Sequence, residues 1–137
     1  MKNKFVVLMA ILALAISSLA CEALSTELSL TNLRMAHDQD GNNVTTTFAP
    51  RDIFYAIADL NNAPQGTKVD AKWTAVNAAD TDPNLEFQAQ TLDITEENFS
   101  GTIYFQLSND EGWPAAQYKV DLYVNGTLAQ TAEFSVQ

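Results

Sequence analysis

The chain has 137 residues, of which 17 are acidic and seven are basic, with one histidine and one cysteine. A lone cysteine excludes an intramolecular disulfide, and one cysteine with one histidine excludes a zinc site of the usual nitrogen and sulfur ligands within one chain. The formal net charge of −10 argues against binding to nucleic acid or to an anionic lipid surface.

The first 20 residues have the three parts of a secretory signal peptide. Two lysines lie in the first four residues, an apolar run covers residues 5–16, and Ser18 and Ala20 are small residues spaced as in a cleavage site. The apolar stretch is shorter than the roughly 20 residues that a membrane-spanning helix needs. We therefore expect residues 1–20 to be removed on export.

Cleavage after Ala20 places Cys21 at the first position of the mature chain. The segment Ser18-Leu19-Ala20-Cys21 resembles the lipobox of bacterial lipoproteins, although Ser18 stands where that family usually has leucine. The resemblance implies a lipid on the Cys21 thiol, an acylated amino terminus and an extracytoplasmic domain anchored to the bacterial cell membrane, with residues 21–27 as a short tether. Ordinary cleavage is the alternative, and it would leave Cys21 as a free thiol.

Beyond the leader, apolar and polar residues alternate in short segments that are separated by turns. The sequence contains no helical run after residue 20, and Asn125-Gly126 is a strong signal for a two-residue hairpin turn. About seven strands with turns every 8–12 residues are typical of a β-sandwich. The predicted strands cover residues 28–35, 53–60, 69–75, 85–89, 103–107, 118–124 and 128–136, with a further extended segment over 44–48.

Two aromatic residues carry a resemblance at the level of the fold. Trp73 lies on the third main strand, and Tyr118 opens the penultimate strand. In these respects residues 28–137 resemble the immunoglobulin-like and fibronectin type III-like domains, without the paired cysteines of antibody domains. The resemblance implies a single immunoglobulin-like β-sandwich of about seven antiparallel strands, with Trp73 in the core and a tyrosine corner at Tyr118. Because proteins of this fold have many different functions, the resemblance in fold does not by itself indicate a function.

A cluster of oxygen-bearing side chains surrounds Gly41 in the first turn region. Asp38, Asp40 and Asn42 offer ligands for calcium, which binds clustered oxygens on a sharp turn. The spacing differs from an EF-hand, because the glycine comes two places early and no glutamate follows at the required position. An Asp-Gly hairpin turn without metal is the alternative, and we expect no cofactor.

The strand predicted over residues 53–60 is apolar on both faces, which departs from the alternation elsewhere. Tyr55 and Ile57 on its second face, with Tyr104 on a neighbouring strand, predict an outward apolar stripe that serves as a contact surface. The alternative is a central strand covered by other parts of the chain. Trp113, in a loop, is a further candidate that either stacks on a sugar or peptide or closes the end of the sandwich.

No combination of residues in the sequence indicates a particular catalytic reaction. We therefore expect a membrane-tethered, non-catalytic binding or assembly module whose partner is an envelope protein or a glycan. A carboxylate-dependent hydrolase of the cell envelope is the alternative, for which Glu96 and Glu97 are examples of candidate acid–base residues. His37 is interpreted as a surface residue of a turn.

Overall fold

The computed structural model describes residues 26–137, which contain eight β-strands and no helix. The expectation of an all-β fold is thereby confirmed. The predicted signal peptide, Cys21 and the first part of the tether lie outside the described residues. The strands are β1 (Ser29–Ala36), β2 (Thr47–Phe48), β3 (Phe54–Ala63), β4 (Lys68–Ala75), β5 (Leu85–Asp93), β6 (Phe99–Leu107), β7 (Ala116–Val124) and β8 (Thr127–Val136).

The strands form two sheets that enclose a shared apolar core. One sheet has three strands in the order β1-β3-β6, and the other has five in the order β2-β8-β7-β4-β5. All neighbouring strands are antiparallel except the short β2, which runs parallel to the end of β8. The two sheets therefore make a sandwich-like arrangement.

The core forms where the inward side chains of both sheets meet. Along β4, Val69, Ala71 and Trp73 are fully buried, while the side chains between them reach the outer surface to a greater extent. The indole N–H of Trp73 donates a hydrogen bond of 3.0 Å to Oε1 of Gln90 on β5, which satisfies its one polar atom. The prediction that Trp73 lies in the core is confirmed.

The segment between β1 and β3 is less regular than the sequence predicts. Of the extended segment expected over residues 44–48, only Thr47 and Phe48 form a strand, and Val44 makes an isolated bridge to Ala36. The hydroxyl of Thr45 accepts from the amide of Thr47 and donates to its carbonyl. These local hydrogen bonds of Thr45 replace the inter-strand backbone hydrogen bonds that a longer strand would make.

Strand connections define two ends of the molecule. The loops of residues 37–53, 76–84 and 108–115 lie together at one end, which we call the loop end. The opposite end, called the amino-terminal end, carries residue 26 and the tight turn at Asn125 and Gly126. Both turn residues have positive φ, of 50° and 84°, as the predicted hairpin turn requires.

Candidate functional site

The outward stripe predicted on β3 is interrupted at Ile57. In the strand register Ile57 lies between Arg34 of β1 and Tyr104 of β6, but its exposed fraction is 0%. The predicted exposure of Ile57 is therefore wrong. The turn of residues 38–43 folds over this position, so that a β-carbon built on Gly41 would lie 3.1 Å from Cδ1 of Ile57 and 3.1 Å from Nε of Arg34. Gly41 permits this close cover because it has no side chain and adopts a φ of 70°.

The two tyrosines of the stripe form a smaller surface. Tyr104 is 43% exposed, and Tyr55 is partly buried. Their ring centroids are 6.4 Å apart with an interplanar angle of 52°. What reaches solvent is thus a pair of rings beside a covered isoleucine. The role of Tyr55 and Tyr104 in contacts stays a prediction.

Trp113 is held against the end of the core and does not project from its loop. Its ring stacks on Phe54 at a centroid distance of 4.6 Å and an angle of 20°, and it lies 5.8 Å from the ring of Phe87. The backbone amide donates to the carbonyl of Pro50 at 2.6 Å, and the indole N–H donates to the carbonyl of Asp52 at 3.1 Å. The structure agrees with the interpretation of Trp113 as a residue that closes the end of the sandwich.

A cavity of about 170 Å³ lies beside Trp113 at the loop end. Sequence reasoning missed it, because its wall combines two loops with the starts of β5 and β7 and the end of β4. The only signal for it in the sequence was the aromatic pair of Phe87 and Trp113 near turn residues. Its lining residues are Ala75, Ala78, Thr81, Leu85, Phe87, Asn109, Trp113, Pro114 and Tyr118.

Tyr118 forms part of the floor of this cavity. Its side chain is buried, and its hydroxyl donates a hydrogen bond of 2.7 Å to the carbonyl of Pro114. Burial raises the pKa of Tyr118, because the phenolate is less well solvated inside the protein than the neutral phenol. This side chain therefore acts as a neutral hydrogen-bond donor that fixes the loop before β7.

The oxygen cluster around Gly41 is a hydrogen-bonded turn. The two carboxylate oxygens of Asp38 accept the backbone N–H groups of Asn42, at 3.1 Å, and Asn43, at 2.8 Å. The amide of Gly41 donates to the carbonyl of Asp38. Within residues 26–137, no three His, Cys, Asp or Glu side chains come close enough together to hold a metal ion. A calcium site at Asp38, Asp40 and Asn42 stays a prediction.

The carboxylates proposed for hydrolysis lie at the amino-terminal end. Glu96 lines an open groove of about 440 Å³ together with Asp93, whereas Glu97 is not part of its wall. Asp93 accepts a hydrogen bond of 2.8 Å from Nζ of Lys68, and this bond raises the pKa of Lys68. Glu96 and Glu97 therefore do not face each other across a cleft, which paired acid–base catalysis requires.

Two further ionisable side chains outside the cavity, those of His37 and Asp59, have partners within the protein. His37 is exposed, with Nδ1 3.6 Å from a carboxylate oxygen of Asp52 and its ring edge-on to Phe48. The pKa of Asp59 is lowered, first by a hydrogen bond from Asn32 and further by Thr102 and Arg34, which outweigh the opposing effect of partial burial. This direction is opposite to the raised pKa of a catalytic general acid.

No helix of membrane-spanning length and hydropathy occurs in the described part of the chain. A scan against protein-family models finds no match, and neither does a search of curated proteins. Solved structures do resemble this one. An alkylpurine DNA glycosylase, AlkC, from Pseudomonas fluorescens superposes with a TM-score of 0.52 at 16% identity, over 81% of this chain and 30% of its own.

A mutant beta-glucosidase from Listeria innocua in complex with laminaribiose also gives a TM-score of 0.52, at 12% identity, over 81% of this chain and 16% of its own. The chain thus spans less than a third of either protein. At these identities the similarity concerns the fold alone, and neither enzyme's activity transfers to this chain.

Proposed function

We propose that this chain is an extracytoplasmic, non-catalytic binding or assembly module of the immunoglobulin-like class, anchored to a bacterial membrane through a lipid on Cys21. The order β1-β3-β6 in one sheet and β8-β7-β4 in the other corresponds to the A-B-E and G-F-C orders of that class. The bond from the Tyr118 hydroxyl to the carbonyl of Pro114, four residues upstream, matches the bond expected of a tyrosine corner. Both features support the finer fold.

The observation that carries the proposal is the placement of the two ends. Residue 26, the first described residue, lies at the amino-terminal end, five residues after Cys21, whereas the cavity lies at the loop end. Five extended residues span about 18 Å at most. A lipid on Cys21 would therefore hold the domain close to the membrane and direct the cavity away from it.

The distribution of charge supports tethering over direct adsorption. Sixteen of the 17 acidic residues and five of the seven basic residues fall within residues 26–137, which gives this part a net charge of −11. Anionic lipid repels such a body, so a covalent lipid is the interaction that would keep it at the membrane. The composition, with one histidine and one cysteine, favours a non-catalytic role.

The test is the mass of the amino-terminal fragment of the protein isolated from expressing cells. We expect the wild-type fragment to begin at Cys21 with added acyl groups and the protein to be in the membrane fraction. Cys21→Ser should lose the added mass and release the mature protein into the soluble fraction. Ser18→Leu, which restores the usual lipobox residue, serves as the control and should keep both. An unmodified wild-type amino terminus would refute the anchor, whichever fraction holds the protein.

A further inference from the structure

The cavity at the loop end is open to solvent and nearly apolar. Leu85 at its mouth is 40% exposed, and Thr81 and Pro114 are also exposed. Deeper in the cavity, Phe87 and Trp113 are half-buried and Ala78 is buried. An apolar concavity that solvent reaches is a default position for ligand binding.

Each polar side chain in its wall has a hydrogen-bond partner within the protein. Thr81, Asn109, Trp113 and Tyr118 each donate a hydrogen bond to a backbone carbonyl, at distances from 2.7 to 3.1 Å. The carbonyl oxygen of the Asn109 side chain accepts the amide N–H of Glu111 at 3.1 Å. A sugar that entered would lose hydrogen bonds to water without gaining these donors, which costs free energy. The wall therefore favours an apolar group over a glycan.

The size of the cavity matches one apolar side chain. A dry cavity of about 150 Å³ lined by aliphatic and aromatic side chains binds benzene. The volume of about 170 Å³ here therefore has room for a phenyl ring or a branched aliphatic side chain.

Three carboxylates are neighbours in sequence of residues that line this cavity. Asp80 and Asp82 flank Thr81, Asp110 follows Asn109, and all three acidic side chains are exposed. Glu86 is set apart, because it lies between the lining residues Leu85 and Phe87 on β5, where alternation turns its side chain to the other face. The segments 76–87 and 108–115 contain no lysine or arginine, and Arg51 of the adjacent loop lines a neighbouring groove with Asn109 and Asp110. Because the three carboxylates outnumber this cation, the net charge around the mouth is negative and attracts cations from solution.

We propose that this cavity binds a cationic polypeptide segment by inserting one phenylalanine or leucine side chain, with the flanking lysines or arginines facing the carboxylates. The inference rests on the proposed function as a binding module and names the chemistry of its partner. The apolar wall supplies the affinity, and the acidic surroundings supply orientation and faster association. Access from solution is expected because the cavity lies at the end opposite residue 26.

The probe is an acetylated, amidated pentapeptide of phenylalanine between two pairs of lysines, titrated into the full chain purified from expressing cells in a neutral detergent. Calorimetry measures its dissociation constant. Serine in place of the central phenylalanine should raise the constant by about tenfold, because an apolar side chain is no longer buried. Higher salt should weaken binding of the original peptide, because the attraction is electrostatic.

Two matched pairs of variants locate the site on the protein. Asp80→Asn with Asp82→Asn should raise the dissociation constant about threefold, whereas Glu96→Gln with Glu97→Gln makes the same change of net charge at the other end and should change it little. Asparagine is suitable at position 80 because the φ there is 62°. Leu85→Ser should weaken binding about tenfold, and Leu128→Ser, at a 52% exposed leucine of β8, should not. Thermal melting of each variant verifies that it is folded.

Several results would overturn the proposal. Equal affinity for the serine peptide, or no affinity for either peptide, would show that the cavity takes no apolar side chain from a cationic segment. Equal weakening by both charge variants would show diffuse attraction without a site. Binding of a neutral disaccharide, or self-association, that Leu85→Ser abolishes would assign the cavity to a glycan or to a second copy. The mass of the amino-terminal fragment tests the lipid anchor independently of peptide binding. Either proposal can therefore fail while the other holds.

Discussion

Phe54 on the inward face of β3 and Ile57 on its outward face are both buried, but by different kinds of structure. Inward, the ring of Phe54 contacts an aromatic cluster of the opposite sheet and, at the loop end, stacks on the ring of Trp113. Outward, Ile57 is covered by one turn at Gly41 and by the side chain of Arg34. The partners of Phe54 in the opposite sheet are Phe48, Trp73, Tyr118 and Phe134, with ring centroids 4.8 to 6.3 Å away.

Phe54 is buried by the packing of the two sheets, whereas Ile57 is buried by a single turn. The inward face is fixed by eight strands and many ring contacts, so a change there affects both sheets. The cover over Ile57 depends on a turn stabilised by a few hydrogen bonds that backbone N–H groups donate to Asp38. Regions with few buried apolar contacts open at lower free energy than the core. Substitutions on the two faces should therefore have unequal costs.

The largest effect is expected for Trp73→Ala. Loss of a fully buried tryptophan should lower the free energy of unfolding by about 3–5 kcal/mol, out of the roughly 5–15 kcal/mol typical of a domain. It also removes the donor to Gln90, whose amide in turn donates to the carbonyl of Gln106 on β6. Urea unfolding followed by circular dichroism measures the loss. A melting temperature within a degree or two of wild type would contradict the central role of Trp73.

The core was predictable from the sequence because it depends on local patterns. Alternation with period two identifies Trp73 as inward, and Tyr118 could be identified from its position at the start of a strand. Such signals require only neighbours along the chain and a common sheet geometry. The same alternation showed that β3 is apolar on both faces, but it does not say what covers the second one.

An intermediate effect is expected for Ile57→Ala. The side chain is fully buried, so its truncation should cost about 2–3 kcal/mol, near the low end for a buried isoleucine because the covering turn can close partly onto the space. Tyr104→Ala is the matched control at the paired position on β6, and because Tyr104 is 43% exposed its truncation should cost under about 1 kcal/mol. Equal losses in the free energy of unfolding would mean that the turn at Gly41 shields Ile57 from solvent no better than Tyr104 is shielded.

The candidate site was harder to predict than the core, because it is made by loops. The cover over Ile57 needs the path of residues 38–43, and the cavity needs two loops and β5 to meet, none of which follows from periodicity. Trp113 was recognised as an aromatic residue in a loop, but its stacking on Phe54 depends on a contact between residues distant in sequence. Long-range contacts of this kind leave no regular spacing in the chain.

The smallest effect concerns the one polar atom that Tyr118 adds to the inward cluster. Tyr118→Phe keeps the ring and removes the hydroxyl that donates to the carbonyl of Pro114, which should cost about 1 kcal/mol at neutral pH.

The pKa of Tyr118 is raised by burial above its usual value of about 10. The unfolded chain therefore loses this proton first as the pH rises, so the stabilisation by the neutral hydroxyl is complete below about pH 10 and is lost as the pH approaches the raised native pKa. The advantage of wild type over Tyr118→Phe should accordingly shrink once the pH rises above about 10, as measured by urea unfolding from neutral to strongly alkaline pH. Tyr104→Phe, at an exposed tyrosine, controls for general alkaline destabilisation. A difference between wild type and Tyr118→Phe that stays constant over this range would show that the hydroxyl is not shielded from solvent, and the inward cluster would then be looser at the loop end than its ring contacts imply.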